Sequence, residues 1–166
     1  MAETQMEISD ISIDDILRES SIGLFYPGCS LGEIGNEIGT PEYWDFSPGK
    51  EINFYAVYGP LEVYFRGVGR DIIVYLIKLK VFKFRNRRFV FKNIYNERAL
   101  RVSVNRKWRT FEGAISMLRR SSIKFSIGFE EPVKEDTSSA INVGKSARLY
   151  FRKDDEEDVL DVVELS

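Results

Sequence analysis

The sequence predicts an α+β fold: a twisted antiparallel β-sheet with about three helices packed on one face. β-rich segments follow one another across short turn signals, as Ile52–Tyr58 and Leu61–Phe65 do around Gly59-Pro60, and such short connections favour antiparallel neighbours. Segments with helical periodicity and capping residues lie before and between the strands. With 166 residues and 43% hydrophobic content, the chain is predicted to form a single domain over residues 1–166.

Three helices are predicted from their caps and their spacing. The first starts at Ser12 and the second at Ser30, each a hydroxyl N-cap followed three residues later by an acidic residue. Gly39 is predicted to end the second helix in a left-handed conformation. The third helix covers Thr110–Arg120, in which apolar side chains recur at helical spacing.

The predicted strands are rich in β-branched and aromatic residues and have turn signals at their ends. They are Ile52–Tyr58, Leu61–Phe65, Ile72–Leu79, Val81–Phe84, Arg88–Ile94, Leu100–Val104, Ile123–Phe129, Ala147–Phe151 and Val159–Leu165. Val81–Phe84 and Arg88–Ile94 flank Arg85-Asn86-Arg87 and predict a tight hairpin. Glu130–Ser139 is predicted to be an acidic loop.

Two short segments have an echo later in the chain. Leu17–Ile22 resembles Leu118–Ile123, and Val63–Arg66 resembles Leu149–Arg152, in the same order. Two interpretations stay open, chance similarity and a pair of helix-plus-meander pseudo-repeats whose sheets join. The second interpretation divides the chain into two pseudo-repeats and a basic β-hairpin segment between them, with bounds 12–80, 110–166 and 81–109.

Charge is distributed unevenly along the chain. Residues 1–65 have a net charge of −10, residues 66–124 of +14 and residues 125–166 of −6. Such segregation predicts oppositely charged surfaces that could complement a partner.

The residue inventory argues against catalysis. The chain contains no histidine, which is the commonest general base and metal ligand, and a single cysteine, Cys29. We therefore expect no enzyme activity, no cofactor and no metal site. A carboxylate-only enzyme stays open as the alternative, since glycosidase-type chemistry needs only two Asp or Glu side chains. The polar, acidic N-terminal residues and the shortness of the longest apolar run, Ile72–Ile77, predict a cytoplasmic protein without a membrane partner.

Two motifs carry a family resemblance. Residues 28–41, GCSLGEIGNEIGTP, resemble the capped helix of SmpA/OmlA-type small outer-membrane lipoprotein domains and of modules shaped like the β-lactamase inhibitor protein. Residues 58–65, YGPLEVYF, resemble the strand that follows in such modules, and the arrangement is similar to that of many small bacterial immunity proteins. The resemblance covers residues 12–80. Unlike the lipoproteins, the chain has no export signal before Cys29, so the resemblance implies a cytoplasmic binding module.

Two surfaces are candidates for the contact with a partner, although each also suits a merely solvated face. The first is an acidic turn that could meet the basic cleft of a toxin, formed by Asp154, Asp155, Glu156, Glu157 and Asp158. The second is a basic surface within residues 78–109 with interleaved aromatic residues, represented by Arg85, Arg87, Arg88, Lys92 and Trp108.

The function expected from these features is that of an immunity protein that occludes the active site of a cognate bacterial toxin. The alternative is a sheet-based protein that binds single-stranded nucleic acid through the basic segment 78–109.

Overall fold

The helices and strands lie within residues 7–46, 53–84, 86–92, 98–128 and 137–166, which the computed structural model describes. The α-helices of these ranges are α1 (Ile13–Glu19), α2 (Leu31–Ile38) and α3 (Phe111–Arg120), and 3-10 turns cover Val81–Lys83 and Arg106–Trp108. The strands are β1 (Glu7–Ser12), β2 (Tyr43–Phe46), β3 (Asn53–Tyr58), β4 (Leu61–Val68), β5 (Asp71–Lys80), β6 (Arg88–Lys92), β7 (Arg98–Ser103), β8 (Phe125–Ile127), β9 (Thr137–Val143), β10 (Ala147–Asp154) and β11 (Glu157–Leu165).

Eight of the strands form one antiparallel sheet in the order β2-β3-β4-β5-β11-β10-β9-β8. It consists of two four-stranded meanders, joined where β5 pairs with β11. A second sheet has the order β1-β7-β6, in which β1 runs parallel to β7. The predicted α+β class is therefore confirmed.

The helices begin where their caps predict. Ser12 and Ser30 each form a reciprocal capping box with the acidic residue three positions later, and the Thr110 hydroxyl accepts a hydrogen bond from the Gly113 amide. Gly39 follows α2 with φ 80° and ψ −153°. The positive φ was expected, but the left-handed helical region was not the one adopted; this conformation is accessible essentially to glycine alone.

The two meanders have corresponding features around the central strands. Each has a register shift in its inner strand pair, after Tyr64 in the first and after Tyr150 in the second. Before α2, Ser30 forms a bridge to Ile73 of β5, and before α3, Thr110 forms a bridge to Val159 of β11. The interpretation of the halves as pseudo-repeats stays a prediction.

The helices and the small sheet cover one face of the large sheet. Phe25, which precedes α2, packs against Tyr58 of β3 and against Phe91 of β6, with ring centroids 5.6 and 6.3 Å apart. At the other end of the sheet, Phe111 of α3 packs against Phe151 of β10. Burial of these side chains forms one continuous core.

Some predicted elements were wrong. Val81–Phe84 is not a strand, because Val81–Lys83 form a 3-10 turn, and β6 forms its antiparallel hairpin with β7 instead. Part of the predicted acidic loop is strand β9, since Thr137 already pairs with β10. Strand β1 was not predicted at all.

Within the described residues, no helix is both long and apolar enough to cross a membrane.

Candidate functional site

The large sheet has a second face, opposite the helices, which we call the open face. On β3, for example, Phe54, Ala56 and Tyr58 point into the core, so Tyr55 between them points the other way and is half-buried. The same alternation along each strand brings together side chains that are far apart in the sequence.

Four tyrosines form a row across the first four strands of the open face. Ring centroids are separated by 6.2 Å between Tyr43 and Tyr55, 5.2 Å between Tyr55 and Tyr64, and 6.3 Å between Tyr64 and Tyr75. Tyr55 and Tyr64 are direct cross-strand partners with nearly parallel rings, and Tyr43 at the sheet edge is 53% exposed. We call these four residues the tyrosine row.

Two cations lie against rings of the tyrosine row. The Lys78 ammonium lies 5.4 Å from the centroid of the Tyr64 ring, and the Arg66 guanidinium lies 5.7 Å from that of Tyr75. Both distances suit cation–π attraction, which also fixes the direction of the long basic side chains.

A carboxylate network lies beside these cations. Glu62, only 9% exposed, pairs with Lys80 and accepts a hydrogen bond of 2.9 Å from the Tyr64 hydroxyl. Burial opposes ionisation of Glu62, but the hydrogen bonds from Lys80 and Tyr64 outweigh it and lower the pKa of this carboxyl. Burial and the hydrogen bond to Glu62 raise the pKa of Tyr64, so this phenol is protonated at neutral pH.

The predicted acidic turn is the tip of the β10–β11 hairpin. Asp154 pairs with Glu157, and Asp155 between them takes a positive φ of 53°. Asp154, Asp155, Glu156 and Glu157 are all exposed. Val162 pairs with Lys80 at the end of β5, and the tip lies six residues before Val162 in β11. At 3.3 Å per residue, the tip therefore extends roughly 20 Å past the Lys80 end of β5.

Asp158 differs from the other four acidic residues. Its side chain is half-buried, accepts a hydrogen bond of 3.0 Å from the Ser139 hydroxyl and lies 3.7 Å from the Lys153 ammonium. Hydrogen bonds from Ser138 and Ser139 lower the pKa of Asp158 despite some desolvation. This residue stabilises the base of the hairpin.

The predicted basic surface is divided by the fold. Arg87 and Arg88 are exposed side by side at the start of β6. Arg85 lies outside the described residues, as does the side chain of Lys92. The prediction that Trp108 belongs to this surface was wrong: the side chain is fully buried, and its indole N–H donates to Asp14 of α1 at 2.9 Å.

Arginines from three segments surround an open basin of about 510 Å³ beside the small sheet. Arg87 and Arg88 come from the start of β6, Arg101 from β7 and Arg106 from the following 3-10 turn. Arg101 forms a bidentate pair with Asp10 of β1, in which Nη2 and Oδ2 are 2.8 Å apart. We call this feature the arginine basin.

Cys29 is not placed for nucleophilic chemistry. Its side chain is fully buried, and burial raises the pKa of its thiol. The neutral thiol form therefore dominates at neutral pH, as in an inert core cysteine.

Sequence reasoning missed the tyrosine row. The available signal was the tyrosine at an outward position of each successive strand, but whether these tyrosines touch depends on the strand register.

Comparison with family models, curated proteins and solved structures found no match to this chain.

Proposed function

We propose that this chain is a cytoplasmic immunity protein that binds a cognate bacterial toxin and occludes its active site. One observation carries the proposal: the open face presents the tyrosine row beside ordered charges. Tyrosine and arginine are enriched in protein–protein interfaces and at their energetic centres, because they combine a large apolar area with polar ends.

The packing of the row supports binding. Tyr55 and Tyr64 already stack on each other, and Tyr64 is also held by its hydrogen bond to Glu62. Side chains ordered before association lose less conformational entropy when a partner covers them. A partner protein would therefore meet a preformed surface.

In this proposal the acidic turn has a different role from the row. Its four exposed carboxylates extend away from the sheet and would attract the basic cleft of a toxin that acts on nucleic acid. Charges of this kind mainly accelerate association, whereas buried aromatic contacts mainly slow dissociation.

The test uses the product of the adjacent reading frame as the toxin, with complex formation and protection of growing cells as readouts. We expect the Tyr43→Ala/Tyr55→Ala variant to weaken binding by about thirtyfold or more. Tyr26→Ala is the control, because Tyr26 is 42% exposed but lies before α2 and is not a member of the tyrosine row. Equal losses in both variants would reject the open face as the interface. Absence of any complex with the wild-type chain would reject the proposed function.

A second variant separates steering from contact. Neutralising the acidic turn by Asp154→Asn, Asp155→Asn, Glu156→Gln and Glu157→Gln should lower the association rate and its salt dependence, with little change in dissociation. Neutralising Arg87 and Arg88 should leave protection intact. Loss of protection in the arginine variant alone would assign the interface to the basic surface.

Nucleic-acid binding by the basic surface ranks second. The clustering of Arg87 and Arg88 with Arg106 favours it. However, Trp108 and Phe91 are buried, and Phe89 packs against Phe91, so these aromatic residues do not form a stacking platform beside the arginines.

A further inference from the structure

The arginine basin has a charge distribution that the proposed interface does not use. Within the described part of the chain, Arg87, Arg88 and Arg106 form no ion pair, while Arg101 is occupied by Asp10. Four guanidinium groups thus border one concavity whose described lining holds a single carboxylate, Asp10, and the pKa of Asp10 is lowered mainly by Arg101 and also by the charge of Arg88. Since like charges repel, their convergence on one basin favours an anionic ligand.

One of these arginines, Arg87, lies in a turn with an uncommon backbone conformation. Asn86 and Arg87 are consecutive residues with positive φ, 50° and 62°. The Arg87 carbonyl accepts a hydrogen bond of 2.9 Å from the Val104 amide, which fixes the turn against the segment that leads to Arg106. Two consecutive residues with positive φ form a tight turn, and this turn sets the position of Arg87 at the basin.

The Asp10–Arg101 pair in the lining of the basin is also ordered. Both carboxylate oxygens of Asp10 bind the Arg101 guanidinium, so β1 and β7 are connected by side chains as well as by their parallel pairing. Asn105, at the rim, accepts a hydrogen bond from the Lys107 amide and starts the 3-10 turn that presents Arg106.

The described lining contains arginine, asparagine, serine, valine and Asp10, and no aromatic ring. Such a lining can bind phosphate oxygens through charge and bidentate hydrogen bonds, but it offers no surface on which a base could stack. The volume of about 510 Å³ lies within the range of small-molecule sites.

From these observations we propose that the arginine basin binds the phosphate groups of a small polyphosphate ligand. Arg87, Arg88 and Arg106 would contact the phosphate oxygens, and Arg101 would stay paired with Asp10. The site lies on the small sheet and is independent of the toxin interface proposed for the open face.

The test measures binding of inorganic tripolyphosphate to the full chain by calorimetry at low salt. We expect one saturable site per chain and at least a tenfold loss of affinity in the Arg87→Gln/Arg88→Gln variant. Arg119→Gln/Arg120→Gln is the matched control, because this exposed pair at the end of α3 has the same charge and lies outside the basin. Absence of binding to the wild type, or an equal loss in the control, would overturn the proposal.

Asp10→Asn provides a test that misfolding cannot imitate. Removing this negative charge from the lining should increase tripolyphosphate affinity severalfold, whereas general damage to the protein would decrease it. An unchanged or lower affinity in a folded Asp10→Asn protein would count against the site. A parallel titration uses single-stranded oligothymidylates of increasing length. Affinity that is independent of length, and no higher than for tripolyphosphate, supports a small ligand. Affinity that rises with length would replace the proposal with nucleic-acid binding.

Discussion

Lys78 and Glu164 lie directly opposite each other where β5 meets β11, and their Nζ and Oε2 atoms are 3.6 Å apart. This ion pair crosses the seam between the two four-stranded meanders on the open face. On the other face of the same seam, Leu79 and Val163 are buried partners. The seam therefore has a buried apolar side and a polar side with an ion pair.

The contribution of this pair can be measured with Lys78→Gln, Glu164→Gln and the double variant. Since the Lys78 side chain is 31% exposed, we expect a coupling free energy of only about 0.5 to 1 kcal/mol in denaturant unfolding. A coupling of zero would mean that this ion pair does not stabilise the seam, which the backbone ladder and the apolar side then hold together.

Glu62 should make stability depend on acid. Its pKa in the folded state lies below the ordinary value of 4.5, so its stabilisation is complete above that value and is lost as pH falls through the folded pKa. We expect Glu62→Gln to unfold more easily than wild type at pH 7, by about 1 to 2 kcal/mol. The difference should shrink between pH 5 and pH 3.

The exposed Glu42→Gln serves as the control for that experiment, because Glu42 lies beside β2 outside this network. A Glu62→Gln protein whose deficit stays constant down to pH 3 would show that the carboxylate is not the stabilised form.

Gly59 joins the two sheets through a close approach. It has a φ of +60°, and a Cβ atom there would collide with the Phe89 ring of β6. Gly69 has almost the same φ, +62°, but open space around the Cβ position. We expect Gly69→Ala to cost about 1 kcal/mol from backbone strain, and Gly59→Ala to cost about 1 to 3 kcal/mol more. Equal thermal midpoints of the two variants would mean that the Phe89 ring does not lie against Gly59.

Asp14 and Trp108 should behave as one unit in unfolding experiments. The Asp14 carboxylate accepts from the Trp108 indole at 2.9 Å and from the Ser121 hydroxyl at 3.1 Å, which connects α1 with both ends of the α3 region. Asp14→Ala leaves the buried N–H without this acceptor, at a cost of about 1 to 3 kcal/mol. In a Trp108→Phe background the same substitution should cost clearly less, and strict additivity would contradict the contact.

The fold could be predicted where local chemistry decides it. Caps at Ser12 and Ser30 set the helix starts, and Gly59 marks the turn between β3 and β4. Strand β1, with the sequence EISDIS, was not predicted, because its polar residues are stabilised by a distant partner through the Asp10–Arg101 pair.

The candidate site was harder to predict for the same reason. Trp108 lies among basic residues in the sequence, but its indole N–H donates to the carboxylate of Asp14, 94 residues away, and the side chain is buried. Likewise, Tyr64 meets Tyr75 only because the register shift after Tyr64 turns the neighbouring strand toward it. Long-range pairing decides both cases, and no local pattern encodes it.

The seam between β5 and β11 has a consequence for synthesis on the ribosome. β11 emerges about 80 residues after β5. At translation rates of about 5 to 20 residues per second, the first meander is therefore complete several seconds before β11 is available. During this time the β5 edge has no β11 to cover it and can pair with another nascent chain. Fast translation or an early-binding chaperone should therefore raise the yield of folded protein.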